Sequence, residues 1–205
     1  TRGNRTSWLV KGAYVLGGFG AVVAAWWVAG LTGADGLLPV LVVPTVLLAL
    51  ATAGYTAFLF GQCEGRDLWQ EPLLLPVLLA QAVAAGGASY SLLALFIDVP
   101  GAAAIQWAFL IGLAANGLLV GLEVRGDHSR HVTMALTEMT SGGQRRSFRQ
   151  WRLNGLAMPL VLVAVSIALG ADGLLLPAVA APFVLHGLFA YEDAYVRAGQ
   201  SVPLS

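Results

Sequence analysis

Residues 37–60 read LLPVLVVPTVLLALATAGYTAFLF, twenty-four positions without a charged side chain. At ~1.5 Å of rise per residue, such a run crosses a ~30 Å hydrocarbon core as one helix. It has no polar face to offer water. The run ends abruptly at GQCEGRDLWQE (61–71), where Glu64, Arg66, Asp67 and Glu71 arrive together. Working outward, the same change between apolar run and charged connection marks five more crossings, at 8–31, 72–97, 102–122, 154–171 and 173–191.

Threading the six stretches alternately sorts the charges. One face receives Arg2, Arg5, Lys11, Arg66, Arg125, Arg130, Arg145, Arg146, Arg149, Arg152 and Arg197, which are all eleven cations of the chain. The other receives only Asp35, Asp98 and Asp172. A wrong number of crossings would scatter the cations, so their segregation supports the count. Lys and Arg gather on the cytoplasmic side of membrane proteins. The expectation is an all-α, polytopic membrane helix bundle in the cell (inner or plasma) membrane, a single membrane domain over 1–205 with both termini on the basic, cytoplasmic side.

Composition excludes other classes. Hydrophobic residues make up 58% and charged residues 11% of the 205, against roughly 25% charged in soluble domains. The arginines adjoin spanning helices rather than a solvated domain, which argues against a nucleic-acid partner. A single cysteine, Cys63, allows neither an intrachain disulfide nor an iron–sulfur cluster held by this chain alone. The segment 8–31 is too long, and too rich in Gly and Trp, for a signal-peptide core. The start at Thr1 reads as a processed or truncated end of a longer polypeptide.

The acidic-side turns contain Asp35, Asp98 and Asp172, each followed closely by Pro39, Pro100 or Pro177. Each Asp is expected to cap the returning helix, with the proline in or near its first turn. Two turns echo each other, GADGLLP (33–39) and GADGLLLP (170–177), by duplication or by convergence. Trp8, Trp26, Trp27, Trp69, Trp107 and Trp151 fall near helix ends, as an interfacial belt would. Gly17, Gly18, Gly20, Ala84, Ala85, Gly86, Gly87 and Ala88 are expected to let helix backbones approach closely.

On the basic side, 131–139 reads as a short amphipathic stretch. Arg145, Arg146, Arg149 and Arg152 follow at helical spacing, suited to anionic lipid or to docking a cytoplasmic partner. Within the spans the polar groups are Tyr14, Thr52, Tyr55, Thr56, Gln81, Ser89, Tyr90, Ser91, Gln106, Asn116 and His186. Such groups are costly in lipid and mark function or interhelical bonding. Tyr55 is the most suggestive, one and a half turns before the basic rim, with Gly54 beside it and Glu64, Arg66 and Asp67 following. Helical spacing would bring Glu123, Asp127 and His131 onto one face, a weak metal-binding pattern. His186 is the only histidine inside a span, so no ligand pair for a haem in this chain is evident. Phosphate-binding glycine loops, nucleophile elbows and zinc motifs are missing.

Three stretches together resemble the NrfD-like family, the membrane subunits of polysulfide-reductase-type oxidoreductases. They are Asn4–Trp8 leading into Gly12-Ala13-Tyr14, Gly54–Phe60 followed by Gly65–Trp69, and Tyr191–Pro203. The resemblance covers essentially the whole chain and begins at the family's third helix, so the chain would be part of a unit of eight or more helices. It implies a quinone or quinol (menaquinone or ubiquinone) as substrate and no haem in this chain. It also implies a ferredoxin-like iron–sulfur subunit on the basic face, in many complexes attached to a molybdopterin catalytic subunit. The family's site tyrosine falls on Tyr55, and Glu64, Arg66 and Asp67 would sit near the pocket mouth. The expected function is therefore quinone/quinol interaction in a respiratory oxidoreductase, with no catalytic centre in this chain. The alternatives are a proton-translocating or transporter-like module and a purely structural anchor.

Overall fold

The computed structural model describes residues 7–98, 100–170 and 174–204. Arg2, Arg5, the Asn4–Thr6 motif and the Asp172 turn lie outside them. The described chain is helical and contains six helices long and apolar enough to cross a membrane. It groups into two compact units, Thr1–Cys63 and Glu64–Ser205.

The first unit is a hairpin of α1 (Trp8–Thr32) and α2 (Leu38–Phe60). Ser7 caps α1, its hydroxyl accepting from the Leu9 N–H. Gly33 closes the helix at φ 68°, a left-handed conformation that suits a residue without Cβ, and its N–H returns to the Ala29 carbonyl. Asp35 does not cap α2. It opens a 3-10 turn (Asp35–Leu37) that runs straight into the helix, so no free helix end is left beside its carboxylate. Pro39 does occupy the first turn of α2, where a missing N–H costs nothing.

The second unit contains α3 (Leu74–Leu93), α4 (Ala102–Arg125), α5 (Arg130–Thr140), α6 (Arg145–Gln150), α7 (Met158–Ala168) and α8 (Leu175–Ser201). α3 packs on α4 and α8, and α7 on α4 and α8. At their centre Ala84, Ala88, Phe109, Leu113, Val163, Ala180, Ala181 and Val184 form a buried core. Small residues set its spacing: a Cβ on Gly112 would lie 2.7 Å from the Ala84 nitrogen. In lipid, where tails are as apolar as leucine, such close backbone packing replaces the hydrophobic drive that joins helices in water.

Several expectations change. Asp98 does not cap α4; Gly101, at φ 76°, takes that position without a side-chain bond. The fifth crossing is not 154–171 but one continuous helical run over Arg145–Ala168, joined through a wider π-type turn at Trp151–Ala157. Its basic first turns are compatible with a crossing because long arginine stems carry their charge to the interface. The last helix continues to Ser201 rather than stopping at 191. Trp69 and Trp151 are buried, so they are internal packing residues rather than lipid-facing belt. Of the predicted close-packing residues Ala84, Gly87 and Ala88 are buried, whereas Gly17, Gly20 and Gly86 face open space. The Arg130–Thr140 helix is amphipathic as expected, burying Val132, Ala135, Leu136 and Met139.

Candidate functional site

Tyr55 belongs to the first unit. A Cβ on Gly12 of α1 would meet the Tyr55 ring at 2.5 Å, so the glycine on the facing helix makes room for the phenol. Nearby, Trp8 stacks on Phe58 with centroids 4.3 Å apart, and the Lys11 ammonium lies 4.4 Å from the Trp8 ring. Among the described residues the Tyr55 hydroxyl has no hydrogen-bond partner, which leaves it open to a ligand.

Glu64, Arg66 and Asp67 open the second unit, and two of their side chains bind the chain to itself. Arg66 Nη1 donates to the carbonyls of Gly199 (3.0 Å), Gln200 (3.1 Å) and Val202 (2.6 Å). A cation there satisfies the orphan carbonyls at the end of α8 and faces the negative end of its dipole. Asp67 accepts from the Ser129 hydroxyl at 2.9 Å and faces His131 Nδ1 at 3.6 Å. The space these residues enclose with Gly199 and Pro203 is about 10 Å³, room for roughly one water. Glu64 is exposed, and its carbonyl accepts from the Gln70 amide.

The densest buried chemistry lies elsewhere in this unit, around Glu123 in the last turn of α4. Glu123, Tyr191 and Tyr195 are each 1% exposed. The Tyr191 hydroxyl donates to Glu123 Oε2 over a long 3.4 Å, and Glu123 Oε1 has no partner. The Tyr195 hydroxyl donates to the Leu68 carbonyl at 2.6 Å. Trp151 packs on Tyr191, which stacks on Tyr195. Asn116, seven positions back along the same face of α4, is buried with neither amide atom bonded. The Ser166 hydroxyl and Gln81 Nε2 are also buried without a hydrogen bond, although the Gln81 amide lies beside Glu192. Each such group costs about 1–3 kcal/mol when left unsatisfied.

His128 fastens the end of α4 to the segment that precedes α3. Its Nε2 lies 2.5 Å from the Glu123 backbone carbonyl, and its Nδ1 lies 3.3 Å from Glu71 Oε2. A carbonyl only accepts, so Nε2 donates. The His128–Glu71 pair is the more buried, at 9% and 17% side-chain exposure, and the separate Asp67–His131 pair the more open, at 24% and 37%.

The chain matches no protein-family model, no curated protein and no solved structure. The site therefore rests on its own geometry. Among the described residues no three His, Cys, Asp or Glu side chains gather to hold a metal. Glu123, Asp127 and His131 do not share a face, because α4 ends at Arg125 and the chain turns before α5 begins. His186 pairs with Gln150.

The burial of Glu123 had a signal in the sequence. Gln106, Phe109, Leu113, Asn116, Val120 and Glu123 recur at alternating spacings of three and four and are all buried. Three polar residues on one helical face of an otherwise apolar run mark an interior lined for function.

Proposed function

We propose that this chain is the membrane subunit of a quinone-linked oxidoreductase, binding quinone or quinol while protons move between its interior and water. The observation that carries the reading is the sealed Glu123 carboxyl, buried against the Tyr191 hydroxyl at the same helix end where His128 and Glu71 meet. Quinone reduction and quinol oxidation move protons with electrons, and the protein's part is binding, orientation and proton access. The NrfD-like resemblance supports the same reading. It contributes Tyr55 as the hydroxyl facing a quinone carbonyl, and Glu64, Arg66 and Asp67 as residues of the pocket mouth. It also contributes an iron–sulfur partner on the basic face, with a molybdopterin subunit beyond. The cation bias supports a cytoplasmic assignment for that face and for both chain ends.

The direct test is titration of the detergent-purified chain with a fluorescent quinol analogue. Saturable quenching that authentic menaquinol or ubiquinol displaces is expected; binding no tighter than to empty micelles would remove the quinone assignment. Orientation is tested on exposed Cys63. A membrane-impermeant maleimide should label it in inverted vesicles and not in intact cells, and the reverse pattern would turn the topology over.

A proton-translocating module is the second reading, favoured by the same carboxyl. Charge movement across a liposome that scales with turnover, beyond the protons quinone chemistry consumes, would select it.

A further inference from the structure

We infer that the groove between α4 and the helical run 145–157 binds the head of an anionic phospholipid. This inference is independent of the quinone reading.

The groove has a volume of about 270 Å³. That is just under the ~300–1,000 Å³ of small-molecule pockets, and suits a head group with the first carbons of its chains rather than a whole ring-and-tail ligand. Gly121 on α4 opens one wall, Gly117 one turn earlier lets Leu156 close the groove against α4, and Trp151 supplies the facing wall. Arg125 and Arg152 line it as well. Both arginines are exposed, and among the described residues neither has a carboxylate partner. The only hydrogen bond seen on Arg125 is a weak one, Nη1 to the Gly121 carbonyl at 3.4 Å, so the guanidinium can turn to a better acceptor. Trp151 is 3% exposed and its ring is held between Phe148 and Tyr191, which makes that wall a fixed apolar surface.

Position selects the occupant. Arg125 is the last residue of α4, and Arg152 lies in the opening turns of the crossing Arg145–Ala168. Both therefore stand at the level where a bilayer's phosphates lie, above an apolar floor. Two unneutralised cations over an apolar furrow at that height complement a phosphate with a tail. Basic pockets between spanning helices on the cytoplasmic side bind such head groups. An uncharged ring would leave both arginines unanswered.

The test uses the purified chain reconstituted in nanodiscs containing equal phosphatidylglycerol and phosphatidylcholine, then extracted into mild detergent for native mass spectrometry. The wild type is expected to retain phosphatidylglycerol at least tenfold over phosphatidylcholine. Arg125→Gln with Arg152→Gln should lose that preference. Gly121→Leu should lose it too with both cations in place, since its added side chain first meets only the flexible Arg125 guanidinium, at 3.3 Å. Equal retention of the two lipids by the wild type, which needs no variant to fold, would overturn the proposal. So would variants that keep the wild-type preference. If soluble glycerol phosphate competes as well as the lipid, the groove reads an anion alone and the lipid assignment fails.

Discussion

The α1–α2 hairpin and the Glu64–Ser205 unit are built from similarly apolar helices and use them in opposite ways. The hairpin crossings have the higher or comparable mean hydropathy, 1.7 and 2.2, yet only 6% and 0% of their spanning windows are buried. In α3 and α8 the hydropathy falls to 1.3 and 1.4 while 44% of each window is buried. A soluble protein would pair hydrophobicity with burial. In a bilayer the lipid accepts apolar faces at no cost, so hydropathy need not track burial: α4, at 1.8, has 33% of its window buried, whereas α1, at 1.7, has 6%.

The strongest way to break this contrast is to place the same bulk in both regions. Gly112→Leu drives a side chain into the Ala84 backbone and is expected to cost about 3 kcal/mol, the upper part of the usual range for overpacking. Gly17→Leu on α1 points into open space and should stay within about 0.5 kcal/mol of the parent. Thermal unfolding of the two variants in one detergent measures both. Equal losses would mean that the hairpin glycines face a packed surface.

Next in size is Glu123→Gln, which keeps the shape of the buried cluster and removes its proton. If Glu123 is the inner end of a proton route, quinol turnover of the assembled complex should fall about 100-fold, the lower bound usual for losing a positioned acid or base. Normal turnover in a folded Glu123→Gln chain would reduce the cluster to a structural feature. Smaller again is Arg66→Ala. It frees the three carbonyls at the end of α8 and should cost about 2 kcal/mol, as for hydrogen bonds to a charged group. Faster proteolysis near Ser201 with an unchanged quinol affinity would separate this fastening role from a place in the binding pocket.

How legible each region was follows from the same physics. The six crossings stood out because uncharged runs such as 37–60 have few alternatives in water. The extension of α8 to Ser201 did not, because Glu192, Asp193 and Arg197 look like a solvated rim. In the structure Arg197 is paired with Asp193 one turn earlier, while Tyr191, Ala194, Tyr195 and Ala198 on another face are buried. The aspartate caps misled for a local reason: a 3-10 turn at Asp35 and a left-handed glycine at Gly101 end the turns in ways that need no side chain. The interior cluster depended on which face of α4 points inward, and only packing against α8 reveals that Glu123 and Tyr191 meet.

Tyr55→Phe gives the smallest change and separates the two regions most cleanly. The Tyr55 hydroxyl has no partner among the described residues, so its removal should leave folding and subunit assembly intact. If it donates to a quinone carbonyl, the loss of one neutral hydrogen bond is worth about 1 kcal/mol, or roughly a fivefold weaker quinol affinity. Affinity unchanged in Tyr55→Phe but turnover lost in Glu123→Gln would move the quinone to the larger unit and leave the hairpin as a lipid-facing scaffold. Affinity weakened in Tyr55→Phe with turnover lost in Glu123→Gln would give the units distinct tasks, one holding the ring and the other moving its protons.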